Sequence, residues 1–139
     1  MFEFLWSTKK ENRAKILVVD DDINIIKTLR DRLEINGYKV VTACDGKEGL
    51  QKALTDKPDI ILLDIMMPIM SGHEMLEHLR KAAESGEISV IMLTTSCQTQ
   101  DIVRAKACGI DDYIVKPFDM NVLLEKIKNI LEHKSVRKL

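Results

Sequence analysis

The chain is poor in the features that would commit it to several large classes. It has only three cysteines, Cys44, Cys97 and Cys108, odd in number, far apart and without a CxxC pair. That excludes a disulfide scaffold and a zinc site, and it predicts reduced thiols and a cytoplasmic location. No apolar run approaches the roughly 18 residues that a membrane span requires, so no transmembrane segment is expected. The opening MFEFLWSTKK lacks the basic start and long apolar run of a secretory signal. Neither sign of charge dominates: 21 Lys+Arg stand against 22 Asp+Glu. A strongly basic footprint over the whole chain is thereby excluded, and no direct nucleic-acid contact is expected. Neither GxxxxGK[ST] nor GxGxxG occurs, so there is no sign of a nucleotide site.

What is present is an alternation of two periods in 139 residues, a one-domain length. KILVV (15–19), IILL (60–63) and VIML (90–93) are unbroken apolar runs, which fit strands buried on both faces. KVVTA (39–43) and DYIV (112–115) are weaker strand candidates. Between them the apolar residues step by three or four. Ile23, Ile26, Leu29 and Leu33 mark a first helix closed by Asn36-Gly37. A second is expected over Gly46 to Leu54, with Leu50, Ala53 and Leu54 inward. A third runs over His73 to Ala83, with Met75, Leu76 and Leu79 inward. A fourth spans Gln100 to Ala107, and a fifth Asn121 to Leu131, with Val122, Leu124, Ile127, Ile130 and Leu131 inward. Five strands each followed by a helix predict an α/β fold with a parallel sheet covered on both faces. Residues 1–13 read as an N-terminal arm, 14–133 as the domain and 134–139 as a tail.

Ligands of such sheets bind beyond the carboxyl ends of the strands. There the sequence places Asp20-Asp21-Asp22, then Asp64, then Thr94-Thr95, then Lys116-Pro117. Bringing several carboxylates together is costly unless something cancels their charge. A hard divalent cation does so, and oxygen-only ligands suit Mg²⁺. A lysine beside them would balance an added phosphoryl group, and a carboxylate beside a metal is a known nucleophile.

ILVVDDD, LLDIMMPIMSG, IMLTT and YIVKPF, in this order, resemble the receiver domain of two-component response regulators over roughly residues 14 to 133. The resemblance implies a flavodoxin-like (βα)5 fold with strand order 2-1-3-4-5. It implies Asp64 as acceptor of a phosphoryl group from a sensor histidine kinase or histidine phosphotransfer protein. Asp20, Asp21, Asp64 and the backbone carbonyl of Met66 would hold Mg²⁺. Thr94 and Lys116 would bind the phosphoryl oxygens, Thr95 would border them, Tyr113 would be the aromatic switch, and Lys116-Pro117 would be cis. The chain would be a phosphoacceptor, with self-phosphorylation and self-dephosphorylation only, rather than an enzyme acting on a separate substrate. It would signal to a downstream effector protein. With few residues after the fifth helix, a stand-alone receiver is expected.

Plainer readings exist beside these. Asp22 reads better as an N-cap of the first helix than as a site residue. His73, His78 and His133 read as solvated helix residues, the seven methionines as core filler, and Cys97 as inert. A phosphatase resembling the haloacid dehalogenase superfamily, with Asp20 as nucleophile and Asp22 as its partner, is the enzyme alternative. It leaves LLDIMMP unexplained. A receiver fold working only by protein contact, without phosphorylation, is the other. Phe2, Phe4, Leu5 and Trp6 gather apolar surface in the arm. Self-association is expected through that arm or through the face from the fourth to the fifth helix.

Overall fold

The computed structural model describes residues 13–82, 85–95 and 98–137; the arm and its four large apolar residues, like Cys97, lie outside these. The elements alternate strictly: β1 (Lys15–Val19), α1 (Ile23–Ile35), β2 (Lys39–Ala43), α2 (Gly46–Asp56), β3 (Ile60–Asp64), α3 (Gly72–Lys81), β4 (Ser89–Thr94), α4 (Thr99–Ala107), β5 (Asp112–Val115) and α5 (Met120–Arg137), with a 3₁₀ turn at Ser85–Glu87 before β4. The sheet has the order β2-β1-β3-β4-β5, and every pair is parallel. β1, β3 and β4 lie inside the sheet, which is why their sequences carry no polar alternation.

Side chains of successive strand residues leave on opposite faces, and each face has its own core. Leu17, Val19, Ile61, Leu63, Val90 and Met92 pack with Ala53, Met75, Leu76, Leu79 and Ala105 from α2, α3 and α4. Ile16, Val18, Ile60, Leu62, Ile91 and Leu93 pack with Ile26, Leu29 and Leu33 of α1 and Leu123 and Ile127 of α5.

Two residues expected inward are out, Leu54 at 46% exposed and Val122 at 45%, as is Ile23 of the first helix's periodic set at 76%. Each lies roughly 100° round its helix from the buried stripe, one residue's rotation. The stripe of α2 is instead Gly46, Gly49 and Ala53, and that of α5 is centred on Leu123, which is absent from the inward set that periodicity predicts. α5 also continues to Arg137, through residues expected as tail. Gly49 lets α2 approach: a Cβ there would lie 2.8 Å from Val19 Cγ1 and 2.9 Å from Met75 Sδ.

Asp22 is the N-cap of α1, accepting a hydrogen bond from the Asn24 N–H at 2.9 Å. Ser71 caps α3 reciprocally with Glu74, a capping box. His73, expected as a solvated helix residue, is instead 4% exposed, in the first turn of α3 against α4.

Candidate functional site

The carboxyl ends of β1, β3, β4 and β5 meet at one edge of the sheet. Because β1 and β3 are neighbours in register, with Val19 beside Leu63, the residues that leave them, Asp20 and Asp64, face one another. Asp20 is wholly buried. Its backbone N–H donates to the Ala43 carbonyl at 3.1 Å, continuing the β1–β2 ladder by one residue. Its carboxylate accepts from the Asp22 N–H at 2.9 Å and from Lys116 Nζ at 2.6 Å. Asp64, the last residue of β3, is 6% exposed, and its Oδ1 lies 3.6 Å from Lys116 Nζ. Asp21 is exposed beside them. One carboxylate oxygen from each of Asp20, Asp21 and Asp64 lies within 4.8 Å of the others. Asp22 is outside that group because its side chain is used as a cap, which leaves the phosphatase alternative without its second aspartate.

The charge is incompletely balanced. Lys116 is the one cation that pairs with the site among the described residues' ion pairs. The Asp64 pKa is accordingly pushed up to about 6. Burial is the main cause and the Asp20 carboxylate the next, with Asp21 a smaller contributor; Lys116 and the Met66 N–H, which hydrogen-bonds the carboxylate, pull the other way. Oxygen-only ligands, an excess of negative charge and one solvent-facing carboxylate together fit a hard divalent cation.

The remaining expected residues fall around this group. Thr94 ends β4, buried, and its carbonyl accepts from the Lys116 N–H at 2.7 Å. That bond joins the two strand ends that carry the hydroxyl and the ammonium. Thr95 is exposed at the rim. The Lys116-Pro117 bond is cis, as expected. Tyr113 sits on β5 opposite Met92 and is partly buried against the α2–α4 face, with Lys106 Nζ 5.9 Å from its ring centroid. Met66 points its side chain into solvent.

The loop after Asp64 is held from two sides. A Cβ on Gly72 would lie 2.1 Å from the Asp64 carbonyl oxygen, so only glycine permits α3 to start there, and the Gly72 N–H donates to the Ile65 carbonyl at 2.9 Å. Gly46 packs equally closely on Met70, where a Cβ would meet the carbonyl oxygen at 2.3 Å. Between these supports Ile69 has φ +69°, and the Met70 N–H bonds the Pro68 carbonyl across it at 2.7 Å. This is a strained three-residue turn, uncommon for a β-branched residue. Pro68 signals a turn in the sequence, but nothing there announces its handedness.

The comparisons agree with this geometry. The model of the response regulator receiver domain matches residues 16–128. A probable transcriptional regulator ycf27 of Cyanophora paradoxa is 42% identical over 120 residues, covering 86% of this chain and 49% of the relative. A CheY-like response regulator receiver domain protein of Methanospirillum hungatei superposes with a TM-score of 0.86 at 36% identity, covering 91% of this chain and 99% of that one. A chain of the CheX-CheY-BeF3-Mg complex of Borrelia burgdorferi superposes with a TM-score of 0.79 at 28% identity, covering 85% of this chain and 89% of that one. The chain spans about half the length of the curated relatives it matches, 49% and 50% for the first two. No helix among the described residues is long and apolar enough to cross a membrane. With the fold, the strand order and the family model in agreement, the chain belongs to the receiver-domain family of two-component response regulators.

Proposed function

We propose that Asp64 accepts a phosphoryl group from the phosphohistidine of a sensor histidine kinase or a histidine phosphotransfer protein. The observation that carries this is the buried, half-neutralised carboxylate of Asp64 between Lys116 and two further aspartates. In the transfer an Asp64 carboxylate oxygen forms a bond to phosphorus while the phosphorus–nitrogen bond to the donor breaks. The leaving imidazole keeps the electron pair and takes up a proton. Lys116, 3.6 Å from Asp64, would supply charge to the transferred oxygens, and Thr94 at the end of β4 would supply a hydrogen-bond donor. Asp20, Asp21, Asp64 and the Met66 carbonyl would hold Mg²⁺, which when bound supplies neutralisation of the phosphoryl charge. The CheX-CheY complex of Borrelia burgdorferi pairs Mg with BeF3, a phosphoryl mimic.

The chain then acts as a phosphoacceptor with self-phosphorylation and self-dephosphorylation, not on a separate substrate. Its output is protein contact with an effector at the face of α4, β5 and α5, altered through Thr94 and Tyr113. The expectation of no nucleic-acid contact is kept for the receiver fold itself; the transcriptional regulators among its relatives are about twice its length.

The test is intact-mass measurement after incubation with acetyl phosphate and Mg²⁺. One phosphoryl group is expected on the wild type and none on Asp64→Asn. Equal gain by the variant refutes the assignment.

A further inference from the structure

FEFLW, residues 2–6, holds every phenylalanine of the chain but Phe118, together with its one tryptophan, Trp6. Phe2, Phe4 and Trp6 alternate with Glu3 and Leu5, so an extended segment of this sequence turns all three rings to one side. Rings gathered in that way call for a surface to cover them.

Such a surface lies where the arm begins. The Ala14 carbonyl accepts from the Lys39 N–H at 2.9 Å, which sets the root of the arm beside Tyr38, at the amino edge of the sheet. Tyr38 is also a wall of an open cleft of about 420 Å³ between the end of α1 and α5, a volume in the range of ligand sites. Its floor is Tyr38 and Leu124, the half-exposed outer layer of the α1–α5 core. Its rim carries Glu125 and Glu132 against Lys128. Ile35, the last residue of α1 and next to Asn36 of the cleft, is 80% exposed. At the root itself Arg13 Nε is buried with no hydrogen-bond partner among the described residues, a cost that an acceptor from the preceding residues would remove.

Reach and direction agree. α5 runs toward the amino edge, where Lys134 donates to the Asp59 carbonyl at 2.7 Å just before β3. Glu132 therefore lies at the end of the cleft nearer the root of the arm. Leu124 lies eight residues back, about 12 Å along the helix. The seven residues from Trp6 to Arg13 span up to about 23 Å when extended, enough to bring the ring to Leu124. We propose that residues 2–6 lie in the cleft between α1 and α5 of their own chain, with Trp6 over Tyr38 and Leu124. Lys9 and Lys10 then pass Glu132. So short a tether holds the arm at an effective concentration on the order of millimolar, which favours its own cleft over that of a second copy. The cleft is closed to other proteins until the arm leaves it.

Trp6, the single tryptophan, is the probe, used in the full chain. Nuclear Overhauser cross-peaks are expected from its indole to the Leu124 methyls and the Tyr38 ring, with emission to the blue of that in urea. Phe4→Ser with Trp6→Ser changes the arm alone, and it is expected to lower Tm by about 4 °C and to shift amides at 36–38 and 124–132. Leu124→Asp is expected to move the Trp6 emission to its value in urea. Ile35→Asp, at an exposed position, serves where Leu124→Asp fails to fold by circular dichroism. Wild-type emission equal to that in urea, without the cross-peaks, overturns the proposal, as does an arm variant with unchanged Tm and amide shifts. Cross-peaks found only between differently labelled copies, or emission that reddens on dilution, overturn the intramolecular contact and make a second copy the occupant.

Discussion

Lys116 Nζ is 2.6 Å from Asp20 Oδ2 and 3.6 Å from Asp64 Oδ1, so the lysine that faces Asp64 is bonded to its neighbour. The pairing follows from burial. Asp20 is the more enclosed carboxylate, and a buried charge without a partner is costly. Lys116 thus holds Asp20 while staying close to Asp64.

Lys116→Met should therefore destabilise the metal-free protein by about 3 kcal/mol, because it leaves Asp20 buried and unpaired. Asp20→Asn in the same background should recover most of that loss. Urea unfolding of the two single variants and the double variant measures the coupling. Additive effects would mean that the short contact contributes nothing to stability.

The raised Asp64 pKa gives a pH signature. The folded protein holds this proton up to about pH 6, while the unfolded chain releases it near its ordinary value of 3.8. Between those values the folded state binds more protons, so stability falls as pH rises, by about 1.4 kcal/mol per pH unit. Asp64→Asn, with no such proton, should exceed the wild type by about 2–3 kcal/mol above pH 7 and match it near pH 4. His73, whose pKa is lowered by burial and by Arg104, is common to both proteins and cancels in the difference. Urea midpoints from pH 4 to 8 without Mg²⁺ show it. A stability gap that does not change with pH would contradict the cause assigned here.

The strands and the four strand-end positions were legible because they depend on composition alone. A parallel strand buried on both faces has to be an unbroken apolar run, and its exit residue has to lie at the site. Helix faces were less legible. Ile23, Leu54 and Val122 extend an apolar pattern by one step, and periodicity cannot say which edge of a broad stripe meets the sheet. In α2 two of the three buried positions are glycines, which carry no hydrophobic signal at all. The burial of His73 escaped for a related reason. It comes from α4 packing across α3, and no local pattern reports a helix contributed from 28 residues further on.

Gly72 is one position where a single methyl should be felt at the site. A Cβ there would overlap the Asp64 carbonyl, so Gly72→Ala has to displace either the start of α3 or the backbone of Asp64. A loss of about 2–3 kcal/mol is expected, at the upper end for overpacking, because the neighbour is backbone and cannot rotate away. Ser71→Ala, which removes the cap beside it without any overlap, should cost about 1 kcal/mol. Thermal unfolding of the pair, with mass measurement of phosphoryl acceptance, separates loop displacement from simple loss of helix stability. Only Gly72→Ala should slow acceptance.

Thr94 should separate receiving the signal from passing it on. Its hydroxyl is neither the proposed nucleophile nor its charge partner, so Thr94→Ala should still take up one phosphoryl group, only more slowly. In the wild type the new negative charge draws the hydroxyl, since a charge-assisted hydrogen bond is roughly twice as strong as a neutral one. Thr94 sits one residue along β4 from Leu93 and is paired with Val115, two residues after Tyr113. A shift at this strand end therefore reaches the ring that packs beside Lys106 of α4. An effector that prefers the shifted state selects it only by its difference in affinity, for which about 1–3 kcal/mol is the usual size of such coupling. Amide shifts with beryllofluoride and Mg²⁺ should spread over residues 99–131 in the wild type and shrink to the neighbourhood of Asp64 in Thr94→Ala. Shifts of the same extent in both proteins would place the coupling elsewhere than Thr94.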